Sequence, residues 1–199
     1  MDRANGRAKS TVRSEGSSSR PLLRNSLPGN GRKLHIAMDA GTGEILAHEL
    51  TDDDTSDPEM VTPLLENAGG RIRRVLADGA YDGQPTYDAI RHASPPKSKP
   101  KIVINPRNTS IPDKGVAHSG TERERHAGRI AEVGQMAWQK ETGYGLRSKG
   151  ETAIGRVKSK TGGKLTARTY GAQKSEISIQ IAIANREIRG VKPVSERVQ

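Results

Sequence analysis

Four short apolar segments constrain this chain more than any other feature. Residues 34–39 alternate apolar with small or polar side chains, and residues 44–50 read as the second arm of a hairpin across Gly41-Thr42-Gly43. Residues 72–78 form a third strand that ends in Asp78, and residues 101–104 a short buried fourth. Helical patterns separate them. Asp57-Pro58 reads as an N-cap followed by Pro at the first helical position, Met60, Val61, Leu64 and Leu65 share a face, and Gly69-Gly70 ends the helix. A short helix is predicted over 85–92, and longer ones over about 121–140, 147–160 and 173–189. In the last, Ile177, Ile179, Ile181 and Ile183 have strand period, but Ile177, Ile181, Ala184 and Ile188 have helix period, and the length favours helix. Strand, strand, helix, strand, helix, strand and then helices predict a layered α/β domain.

The core must be thin. Only 32% of residues are hydrophobic, with no Phe and one Trp. The absence of Cys excludes a disulfide scaffold, Cys-ligated zinc and thiol catalysis. No apolar run approaches the roughly 18 residues of a membrane span, and no secretory signal core is visible. The net charge of +10 is uneven. Residues 1–33 carry net +6, residues 34–117 net −4 and residues 118–199 net +8. An acidic centre between basic ends suits a carboxylate-containing site beside surfaces that hold phosphates; a basic tail plus a solvated helical surface would give the same totals. Residues 1–31 show low complexity around Ser17-Ser18-Ser19 and little periodicity. They are predicted to be a disordered or unrelated basic leader, residues 32–190 the folded domain, and residues 191–199 a flexible tail.

Tyr144, Arg147, Glu151 and Lys158 are spaced by three, four and seven residues. At about 100° per residue, a helix would place them within an arc of about 60°. Ala153, Ile154 and Val157 form a separate apolar face, so the polar stripe borders buried surface. Gly143 and Gly145 weaken a helical reading at Tyr144. A salt-bridged surface helix would show the same Arg147–Glu151 spacing.

Tyr-x2-Arg-x3-Glu-x6-Lys is the signature of bacterial insertion-sequence transposases of the DDE class, and the chain resembles that family over about residues 32–190. The text from Arg32 to Asp39 is similar to the family's second strand, and 44–51 to its third. Ala77-Asp78-Gly79-Ala80-Tyr81-Asp82 resembles the segment that holds the second catalytic Asp; Pro106-Arg107 and Trp138-Gln139-Lys140 agree as well.

The resemblance implies a ribonuclease-H-like fold, a mixed sheet flanked by helices, and two Mg2+ (or Mn2+) ions held by three carboxylates. It implies DNA transposition, with metal-dependent cleavage and strand transfer at insertion-sequence ends. Asp78 and Glu151 would be catalytic metal ligands. Arg147 and Lys158 would hold DNA phosphates, and Tyr144 would support or stack near the DNA end. The implied partner is double-stranded DNA, both element ends and target; a homodimer suits a complete enzyme, and the location would be the cytoplasm at the nucleoid.

The family's first catalytic Asp lies on a strand ahead of the one starting at Arg32, and residues 1–31 show no apolar alternation around their single Asp, Asp2. The sequence therefore predicts a sheet lacking its first strand, an N-terminally truncated or frameshifted copy, and doubtful catalytic competence. Asp39 is the remaining candidate for a third ligand, although by alignment it ends the second strand. Taken singly, Asp78 before Gly79 also suits a turn, Asp82 a turn or cap, and Asp52, Asp53 and Asp54 a polar turn. His35 reads as structural and Trp138 as helix packing. The competing function is a non-catalytic, basic DNA-binding remnant. An RNA-associated role is disfavoured by the scarcity of aromatic residues.

Overall fold

The structure is a computed structural model that describes residues 19–27, 31–94, 99–111, 120–162 and 164–190. The predicted C-terminal tail and the first eighteen residues of the predicted leader lie outside the described residues. Five strands form one mixed sheet: β1 Ser19–Leu27, β2 Arg32–Met38, β3 Ile45–Asp52, β4 Arg74–Ala77 and β5 Lys101–Ile104, in the order β3-β2-β1-β4-β5. β2 runs antiparallel to both of its neighbours, β1 and β3, and β4 and β5 run parallel to β1.

Six α-helices flank the sheet: α1 Val61–Ala68, α2 Gln84–His92, α3 Glu122–Val133, α4 Gln135–Thr142, α5 Ser148–Thr161 and α6 Tyr170–Gly190. One face packs Leu22, Ala37, Val75, Ala77 and Ile102 against α1 and α2. On the other, Leu23, Leu34, Ile36 and Met38 pack against α5 and α6, while Leu76 and Val103 meet α3 and α4 through Ile130 and Trp138. The alternation along each strand sorts the faces, as a two-residue period requires. The predicted mixed, ribonuclease-H-like sheet is therefore the fold.

One expectation is overturned. The sheet does not lack a strand ahead of Arg32: β1 lies at its centre, inside the segment read as a leader. The sequence hid it because two charged side chains, buried Arg20 and exposed Arg24, interrupt its apolar residues. Arg20 is 8% exposed and pairs with Asp39 at 2.6 Å, and Arg24 pairs with buried Asp57 at 2.8 Å. Those partners come from distant segments, so no local pattern announces the strand. Pro21, normally a mark against a central strand, stands just ahead of the β2 ladder, which starts at Leu22 opposite Ala37.

The helix predicted over 121–140 is two helices. Gly134 adopts φ +83°, which ends α3 and starts α4 at a bend. Ser56, not Asp57, occupies the cap position before the 3-10 turn Asp57–Met60 that leads into α1. The last helix follows helix period: Ile177, Ile181 and Ala184 are buried, while Ile179 and Ile183 are exposed. No helix among the described residues is long and apolar enough to cross a membrane.

Candidate functional site

Asp78 follows directly on β4, where the strand gives way to the 3-10 turn Gly79–Tyr81. One carboxylate oxygen accepts a hydrogen bond from the Ala80 N–H at 2.9 Å, so Asp78 caps the turn. Its other oxygen is turned to the opposite partner, 3.9 Å from Nη1 of Arg147. One oxygen thus serves the turn, and the other faces Arg147.

Arg147 ends the 3-10 turn Tyr144–Arg147, which runs straight into α5. Its Nη2 donates to Oε1 of Glu151 at 2.7 Å, one helical turn on. One guanidinium therefore stands between the two carboxylates that the sequence singled out. They come from a strand end and from a helix, 73 residues apart in the chain, and they converge.

Tyr144 lies beneath. Gly143 at φ +68° ends α4 and turns the chain so that the Tyr144 ring enters the core, 8% exposed. Its ring centroid is 5.3 Å from that of Trp138, and the Arg147 guanidinium carbon lies 5.8 Å from its centre. Burial pushes its hydroxyl up to about 12. Tyr144 thus props Arg147 from below and presents no open stacking face. Lys158 is half-buried two turns along α5 from Glu151, on the same helical stripe. Trp138 is fully buried and donates to Nδ1 of His126 at 3.1 Å, the packing role expected of it.

Asp39 is not brought to this group. One of its oxygens accepts from the N–H groups of Gly41 and Thr42 at 2.7 and 2.9 Å; the other pairs with Arg20. The adjoining Ala40 bonds back to Ser19, which stands opposite Arg74 at the start of β4. Asp39 itself is level with Arg20 and Val75, and Asp78 comes three residues further along, about 10 Å at roughly 3.3 Å per residue. Asp39 is a turn and ion-pair residue.

Asp82 also has a fixed task. Its fully buried carboxylate accepts from Nε and Nη2 of Arg123 at 2.7 and 2.8 Å and from the Arg107 N–H at 3.0 Å. Burial pushes this carboxyl up, but the bonds from Arg123 and Arg107 outweigh it and hold it below the ordinary range. It ties α3 and the loop after β5 to the turn that carries Asp78.

Sequence reasoning missed a second polar group on the α1/α2 face. Asp57 pairs with Arg24 through one oxygen, while the other stands 3.9 Å from Nδ1 of His35 without a hydrogen bond. The Tyr81 hydroxyl is buried there without a partner. Burial raises Asp57 and lowers His35 to about 4. No spacing could have revealed it, since its members come from β1, β2 and two turns.

The donor set does not fit the pair of metal ions that the sequence resemblance implies. Two carboxylates converge, a guanidinium lies between them, and no group of three or more metal-ligating side chains exists among the described residues. A two-ion centre needs carboxylates that bridge and surround both cations. The family model for the transposase DDE domain matches residues 29–186.

Proposed function

Because the chain belongs to the transposase DDE domain family, we propose that it acts in DNA transposition by holding insertion-sequence DNA, without cutting it. The observation that carries this reading is the Asp78–Arg147–Glu151 arrangement, in which a cation of the protein itself occupies the space between the two carboxylates. Cleavage of a phosphodiester at neutral pH needs an activated hydroxyl and a stabilised leaving oxygen. Two acids that share one guanidinium supply neither.

Binding is better served. The Arg147–Glu151 pair is an i,i+4 contact whose Glu151 side chain is 58% exposed. Such pairs contribute only about 0.3–0.5 kcal/mol, so a DNA phosphate can take over Arg147 at little cost. Tyr144 holds the guanidinium at the surface edge, and Lys158 offers a second cation along the same stripe. The net charge of +10 adds long-range attraction to duplex DNA.

The test is a paired measurement on duplexes drawn from the DNA flanking the gene. Fluorescence anisotropy across a salt series should show binding that weakens with salt, and labelled-strand gels with Mg2+ or Mn2+ should show no cleavage. Metal-dependent cleavage that disappears in Glu151→Gln would establish the catalytic alternative.

A further inference from the structure

We infer that Leu23 occupies the third wall of the Asp78/Glu151 site and that this side chain, at this one position, keeps the site from holding a metal ion. The inference deepens the reading above and rests on it. The parallel ladder between β1 and β4 pairs Leu22 with Ala77, so the next residues in register are Leu23 and Asp78. Leu22 and Ala77 both face α1 and α2. Side chains alternate along a strand, so their successors face the other way. Leu23 does so, packing with Ala153, Ile154 and Val157 of α5. Asp78 does so too, since it approaches Arg147 at the start of α5.

The helix closes the triangle. A Cβ built on Gly150 would collide with Leu23 Cδ1 and stand 2.9 Å from both Cγ and Cδ2. Leu23 therefore touches the backbone immediately before Glu151. β1 presents its isobutyl group, only 2% exposed, where strand β4 and helix α5 present their acids. An apolar side chain offers a cation no oxygen and excludes the water that could serve instead. The unbalanced pair of acids is then neutralised by Arg147. The same position with a carboxylate would give three acids from three elements around one point.

The experiment titrates the purified chain, Leu23→Asp, and Leu23→Asp with Glu151→Gln, using Mn2+ alone. Calorimetry and thermal melts are the readouts, and circular dichroism checks the fold. The original chain should show no saturable binding at millimolar Mn2+. Leu23→Asp should bind saturably, with a Kd at least tenfold below the highest Mn2+ concentration at which the original chain shows none, and melt about 3–6 °C higher in a tenfold excess of Mn2+ over that Kd, and the added Glu151→Gln should abolish both effects. Saturable Mn2+ binding by the original chain would overturn the inference, as would a folded Leu23→Asp with unchanged affinity. Should Leu23→Asp melt too low to handle, Leu23→Glu, whose longer stem retains more of the packing, is measured against the same criteria. Duplex binding is recorded on the same samples without metal. If it is absent from the original chain, the DNA reading fails, while the metal titrations still decide the role of Leu23.

Discussion

Arg147 grips Glu151 at 2.7 Å with one guanidinium nitrogen while another stands 3.9 Å from Asp78. The pair is thus the hinge between a strand end and a helix start. Replacing Arg147 by Met keeps the stem over the Tyr144 ring and removes the charge. Folding stability should change by less than about 1 kcal/mol, because the Glu151 end of the ion pair is largely exposed. Duplex binding should weaken, with the slope of log K against log salt reduced by about 0.9, the value for one lost phosphate contact. Anisotropy titrations at four salt concentrations check this. An unchanged slope would show that Arg147 stays on its carboxylates when DNA binds.

Asp82 has the opposite character, a structural acid whose carboxylate is wholly buried beneath Arg123. Asp82→Asn keeps the shape but loses the charge-assisted bonds to Arg123, and should cost about 2–3 kcal/mol at pH 7 in urea unfolding. The carboxyl is held below its ordinary range in the folded chain. Its contribution is therefore present above the unfolded-state value near 4 and is lost as pH falls through the lower folded value. The variant should consequently lose part of its stability slope below about pH 4.

The strands β2 to β5 and helices α5 and α6 were legible because their apolar residues repeat with period two or 3.6 and their ends carry Gly, Pro or Asp. β1 was not legible. Its Arg20 and Arg24 are matched by Asp39 and Asp57 only after folding. The same logic divides the site. Spacing on one helix brought out Arg147, Glu151 and Lys158, and a strand ending in an acid brought out Asp78. Tyr144 belonged to the motif, but its burial follows from the left-handed Gly143, and the position of Leu23 depends on strand register. Asp39 looked suitable in one dimension, but its two oxygens are taken by the Gly41-Thr42 turn and by Arg20.

His35 should make stability depend on pH in a specific window. The ring is fully buried, with Nε2 3.0 Å from the Thr51 hydroxyl, and burial, with Lys33 and Arg24 nearby, lowers it to about 4. In the unfolded chain it takes up a proton near pH 6.5. Between about pH 6.5 and 4 the unfolded state alone gains that proton, so stability falls on acidification and this contribution levels off below pH 4. The full effect is on the order of 3 kcal/mol. His35→Gln, which can still bond Thr51, should flatten the stability profile over that window in urea titrations at half-unit pH steps.

Gly150 and Leu23 should be energetically coupled. Replacing Gly by Ala inside a helix normally stabilises it by about 0.8–1 kcal/mol. Gly150 is buried against Leu23, and a Cβ there would meet three of its side-chain atoms. Overpacking of this kind costs about 1–3 kcal/mol, so Gly150→Ala should be net destabilising or neutral. Leu23→Ala alone should cost about 2–5 kcal/mol through the cavity it leaves. In the double variant the new methyl group enters the vacated space and the helix propensity of Ala is recovered. Its loss of stability should therefore fall short of the sum of the single losses by at least about 1 kcal/mol, a coupling that urea unfolding of all four proteins measures. Additive losses would mean that α5 does not rest on β1 at this point. Position 23 would then be too far from Glu151 to act as the third wall.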